Sequence, residues 1–120
     1  MAVRLVAVGY VDDTQRPFHY FCSSAPNGIN PIADAHRTKT GQFNFTFDPA
    51  AFAGSPQVLV SSVGASGEIT NNAIAYVRHV DSKGFRIDTN TTNSARNTSF
   101  HFLILEHDGW FTTAGVEDVK

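Results

Sequence analysis

Cysteine occurs once, at Cys22, so no internal disulfide can form and a disulfide-stapled scaffold is excluded. Charge is also sparse. Only 17% of residues are Asp, Glu, Lys or Arg, which is low for a free soluble monomer and suits a chain that hides surface in an oligomer or fills its core well. The nine Lys and Arg residues are scattered, which argues against a nucleic-acid groove. No apolar run is long enough to span a bilayer, so membrane insertion is not expected. The opening Met1-Ala-Val-Arg-Leu-Val-Ala-Val-Gly9 lacks a basic start and a long apolar core. It therefore reads as no signal peptide, with synthesis in the cytoplasm. Helical three-four spacing is missing too, because Gly, Asn, Thr and Ser interrupt every candidate.

What is abundant is phenylalanine, with ten copies in 120 residues. Phe43, Phe45 and Phe47 alternate with Asn44 and Thr46, the pattern of a half-buried strand with aromatics inward. Further strands are expected from Val3, at Phe18 to Cys22, at Gln57 to Val63 after Pro56, at Asn72 to Val80, at Phe85 to Thr89 and at Ser99 to Glu106. The first strand is apolar at nearly every position and is expected to be covered on both faces. Ser23 to Thr40, with Pro26, Gly28 and Pro31, reads as a long ordered loop. Asp81-Ser-Lys-Gly84 is a hairpin turn. Trp110 and Phe111 open a last short strand or tail. About six to seven strands separated by turns predict an all-β antiparallel β-sandwich, with residues 1–120 as one domain. Within it, 1–40 hold N-terminal strands and the long loop, 41–106 the core, and 107–120 a C-terminal strand or tail.

The residues favour binding or assembly over catalysis. Cys22 lies three residues from His19 on one strand, which sends the two side chains to opposite faces and makes no nucleophile–base dyad. Asp12 and Asp13 are adjacent and separate in the same way. No nucleophile elbow, phosphate loop or dinucleotide fingerprint is present. No pair among the five histidines has metal-ligand spacing, and no cofactor is expected. A three-histidine site on a trimer axis would have to use His79 or His101. Sugar binding asks for an aromatic platform and planar polar groups. Trp110, the only indole, is one candidate platform; the competing reading is that it seals the sandwich or a subunit contact. Asn90, Asn93, Arg96 and Asn97 form a candidate polar loop; the competing reading is a solvated hairpin loop.

The segment from Gly41 to Glu106 resembles the H-type lectin domain and the related tip domains of phage tail fibres. The resemblance rests on four stretches. These are the Phe strand ending in Phe47-Asp-Pro49 with Ala51-Phe-Ala-Gly-Ser-Pro-Gln-Val-Leu-Val60, then Asn71-Asn-Ala-Ile-Ala-Tyr-Val77, Val80-Asp-Ser-Lys-Gly-Phe-Arg-Ile87 and Phe100-His-Phe-Leu-Ile-Leu-Glu106. It implies a six-stranded antiparallel sandwich that assembles as a homotrimer, with an amino-sugar site near the subunit junction in the animal lectins. Thr92 and Asn93 stand roughly where that family keeps its loop aromatic and a polar neighbour, and Tyr76 about where it keeps a basic residue. The loop from Asp88 to Arg96 has no aromatic at all. The expectation is a protein of a virion or particle surface that recognises host glycan and contacts other virion structural proteins. The alternative is a head-spike, decoration or assembly protein with no small ligand.

Overall fold

The phenylalanine alternation that marks one strand in the sequence organises two sheets in three dimensions. A computed structural model of the chain describes residues 3–13, 18–23, 28, 30–52, 54–63, 73–91 and 94–107. Among these the elements are β1 (Val3–Asp12), β2 (His19–Cys22), β3 (Ile32–Lys39), β4 (Gln42–Phe47), β5 (Gln57–Val63), β6 (Ile74–Val80), β7 (Gly84–Asn90) and β8 (Ser99–His107). They form a first sheet in the order β2-β1-β8-β5 and a second in the order β3-β4-β7-β6, every neighbouring pair antiparallel. The fold is an antiparallel β-sandwich. Hairpins β1–β2, β3–β4 and β6–β7 stay within a sheet, while the other connections cross between the two.

Period-two alternation decides what lies between the sheets. Phe43, Phe45 and Phe47 of β4, Phe85 and Ile87 of β7, and Phe100, Phe102 and Ile104 of β8 are all buried. Phe45 is the centre of this layer. It stacks on Phe85 with centroids 4.5 Å apart and meets Phe100 and Phe102 at 6.4 and 5.4 Å. Edge-to-face and offset contacts of this kind add to area burial because each ring's positive edge meets a negative face. In β1 the register shifts between Leu5 and Ala7, so Val6 and Ala7 both point inward.

Two expectations need correction. Among the described residues there are eight strands, because Ser23 to Thr40 is not one long loop: Ile32–Lys39 is the edge strand β3, paired to β4 from Ile32↔Phe47 to Lys39↔Gln42. Its polar sequence hid it, since an edge strand shows one side to water and needs few apolar residues. Secondly, β1 is not covered on both faces; Leu5 and Val8 are 48% and 44% exposed. After β4 the chain makes a tight turn in which Asp48 accepts backbone N–H groups from Ala50 and Ala51. The expected strand at Trp110 and Phe111 lies outside the described residues, as does the start of the Asn72 strand.

Two turns match their sequence logic. At Asp81 the carboxylate accepts the Lys83 and Gly84 N–H groups, and the Asp81 N–H donates to the Gly84 carbonyl, closing β6 onto β7. Between β3 and β4 the chain reverses at Gly41, whose φ of 78° favours glycine. A Cβ there would collide with the Thr89 carbonyl.

Candidate functional site

Apart from Ile74, which is 56% exposed, the outward face of the second sheet is mainly polar, and several of its side chains pair with one another. On β7 the alternation that buries Phe85, Ile87 and Thr89 sends Arg86, Asp88 and Asn90 outward. Asp88 faces Gln42 of β4 on one side and Tyr76 of β6 on the other. Arg86 grips both Asp88 oxygens, Nε to Oδ1 at 2.6 Å and Nη2 to Oδ2 at 3.0 Å. Arg78 brings a second guanidinium to 3.9 Å from Asp88. A two-point guanidinium–carboxylate contact is stronger and more directional than a neutral hydrogen bond. It keeps the Asp88 side chain only 12% exposed although it stands on an outer face. The hydrogen bond to Asp88 also raises the Arg86 pKa.

Beside this fork stands Tyr76, 38% exposed, its hydroxyl accepting a hydrogen bond from Asn90 Nδ2 at 3.1 Å. The amide fixes the phenol end, so the ring is held on the sheet surface. The face continues through Gln42, Thr38 and Asn44, which are linked to one another by side-chain hydrogen bonds. Where Asp88 and Asn90 approach the β3–β4 turn there is a surface depression of about 370 Å³, bordered also by Lys39, Gly41, Gln42 and Ala95. Ala95, after β7, borders one end of it. The Arg96 N–H donates to the Thr89 carbonyl at 3.2 Å, and Asn97 Oδ1 accepts the Gly41 N–H at 2.8 Å.

Of the residues expected at a ligand site, Tyr76 and Asn90 are brought into direct contact. Arg96 is exposed and joins the site through its backbone. Thr92, Asn93 and Trp110 lie outside the described residues. Asn97 anchors the β3–β4 turn. Sequence reasoning missed Arg86, Asp88, Arg78 and Gln42. Arg86 and Asp88 are two apart on a strand and so share a face, a signal that was present but indistinguishable from a solvated hairpin.

His19 and Cys22 do fall on opposite faces of β2, as their alternating exposure shows. Burial pushes the Cys22 thiol up to about 11, which keeps it protonated and weakly nucleophilic at neutral pH. Asp12 closes β1, while Asp13 turns away and pairs with Arg37 at 2.9 Å. His79 pairs with Asp81 at 3.0 Å, and His101 packs against Tyr10 with ring centroids 4.7 Å apart. Among the described residues no group of three or more His, Cys, Asp or Glu side chains is placed to hold a metal ion.

Comparison with family models, curated proteins and solved structures finds no match for this chain. Fold and site together define, among the described residues, an eight-stranded antiparallel sandwich with one mainly polar outer face and one mainly apolar outer face.

Proposed function

We propose that this chain is a surface-recognition module of a virion or phage-like particle that binds host-surface glycan on the outer face of its second sheet and works as an oligomer, a trimer by its resemblance to H-type lectins, rather than as an enzyme. The observation that carries the reading is the held Tyr76 ring beside the Arg86–Asp88 fork and Asn90. A sugar offers C–H faces to an aromatic ring and hydroxyls to amides, carboxylates and guanidinium groups, and this patch supplies all of these. The likeness of residues 41–106 to lectin and tail-fibre tip domains supports the choice of glycan and of a particle surface.

A second reading, a structural spike, decoration or assembly protein, is favoured by the apolar outer face of the first sheet. A glycan array separates the two. Under the recognition reading the wild type binds a defined set of glycans. Tyr76→Ala and Asn90→Ala then weaken that binding at least about tenfold, which is roughly 1.4 kcal/mol, while Tyr76→Phe retains more because it keeps the ring. A blank array with the folded wild type leaves the assembly reading in place.

A further inference from the structure

The first sheet presents an outer face unlike that of the second. Leu5 and Val8 of β1, Phe21 of β2 and Leu59 of β5 are 48%, 44%, 60% and 52% exposed. They lie in one surface, because Leu103 of β8 pairs with Val8 on one side and with Leu59 on the other, and Tyr10 pairs with Phe21. A shallow depression of about 330 Å³ runs between Val8, Leu59 and Leu103, with His101 at its edge. Monomeric soluble domains rarely leave so continuous an apolar surface in water.

We infer that this face is the surface through which copies of the chain pack against one another. Three observations select a second copy over a different partner. Among the described residues the centre of the face holds no acid, lysine or arginine, so it offers no countercharge by which a charged partner would be chosen and no like charge to repel a second copy. Apolar interfaces of this kind are characteristic of permanent homo-oligomers. Its size also fits. β2, β1, β8 and β5 run for four, ten, nine and seven residues, which at ~3.3 Å per residue and ~4.8 Å between strands gives a four-stranded footprint of roughly 475 Å² before side-chain relief is counted. That is more than half of the ~800 Å² per partner of a standard interface, and the relief of the exposed Leu, Val and Phe side chains adds to it. Finally, the edges differ. β2 has only four residues, β3 carries Asp34, His36, Arg37 and Lys39, and β6 carries Arg78 and His79. Charges and shortness are how edge strands avoid pairing with other chains. β5, Gln57-Val-Leu-Val-Ser-Ser-Val63, has seven residues and no charge, and it is the edge at which the apolar face ends.

The inference deepens the oligomeric part of the proposed function by naming the face, and it is independent of glycan binding. The test is sedimentation of the purified chain across low to high micromolar concentration, with Leu59→Asp and, at the opposite edge of the face, Phe21→Ser. Thr46→Asp on the polar face is the control. All three sites are exposed, and circular dichroism confirms that each variant is folded. The expected result is an oligomeric wild type and control, with the dissociation constant raised at least about tenfold in each of the two face variants. An oligomer that both face variants leave intact overturns the assignment of the face while the oligomeric reading stands. A wild type that stays monomeric overturns both.

Discussion

At the scale of single residues, the interior makes few polar concessions, and Thr89 is the one with a measurable consequence. It faces the core from β7 and is 1% exposed, and its hydroxyl finds no hydrogen-bond partner among the described residues. Its backbone is fully used, N–H to the Gly41 carbonyl and carbonyl to the Arg96 N–H. A buried hydroxyl without a partner costs about 1–3 kcal/mol of desolvation. Replacing it by a methyl group of similar volume removes that cost. Thr89→Val is therefore expected to raise unfolding stability by about 1 kcal/mol in urea titration. Thr89→Ser, which keeps the orphan oxygen and loses a methyl group, is expected to lower it. A destabilised Thr89→Val would mean that the hydroxyl is satisfied.

At the scale of elements, the β6–β7 hairpin ties local chemistry to pH. Asp81 is held below the ordinary carboxylate value of 3.8, first by the hydrogen bond from His79 and then by the backbone N–H groups of Lys83 and Gly84. A carboxyl with a lowered folded-state pKa contributes stability that is complete above 3.8 and is lost as pH falls through the lower folded value. Acid titration should thus show wild type and Asp81→Asn differing at pH 6 and converging as pH falls below 3.8 and through the lower folded value. Asp81→Asn keeps the turn acceptor and is expected to melt above Asp81→Ala at every pH. A constant gap between wild type and Asp81→Asn from pH 6 to pH 2 would show that the charge contributes nothing.

The same scale shows what the sequence can disclose. The aromatic strand β4, the Asp81 turn and β8 were legible because their patterns are local: alternation within a strand and Asp and Gly at fixed turn positions. β3 was not, because what makes Ile32–Lys39 a strand is the free edge of β4, a partner beyond its own residues. The bulge that turns Val6 and Ala7 inward together is equally non-local, and it spoils the simple alternation of β1. Tyr76 and Asn90 were nameable one at a time, but their contact depends on the β6–β7 register, in which Ile74 rather than Tyr76 lies directly across from Asn90. The apolar outer face was hidden for a related reason. Leu5, Val8, Leu59 and Leu103 look like core residues until the sheet order shows that the other side of the first sheet already lines the interior.

At the scale of the whole molecule, the decisive feature is that the first sheet is closed by the two ends of the described chain. β1 pairs with β8 from Val3↔His107 to Val11↔Phe100, so its central ladder joins residues roughly a hundred positions apart in sequence. Among the described residues β5 then depends on β8 for its only partner strand, and β2 on β1. The second sheet is more local, with hairpins β3–β4 and β6–β7, but its β4–β7 pair also spans distant segments. Loop-closure entropy must be met before such pairings return any stability, so topologies of this kind fold slowly. Stopped-flow refolding of the monomer at low concentration is expected to take milliseconds to seconds, as for other sandwiches, with a minor slower phase of tens of seconds from the five prolines. Because Phe45, Phe85, Phe100 and Phe102 bridge the sheets through one aromatic cluster, neither sheet keeps a core without the other. Tryptophan-independent probes, far-ultraviolet dichroism and tyrosine fluorescence, should report one coincident unfolding transition. Two separated transitions, or refolding in microseconds, would show that the hairpin sheet is stable by itself and that the long-range β1–β8 ladder does not control assembly of the fold.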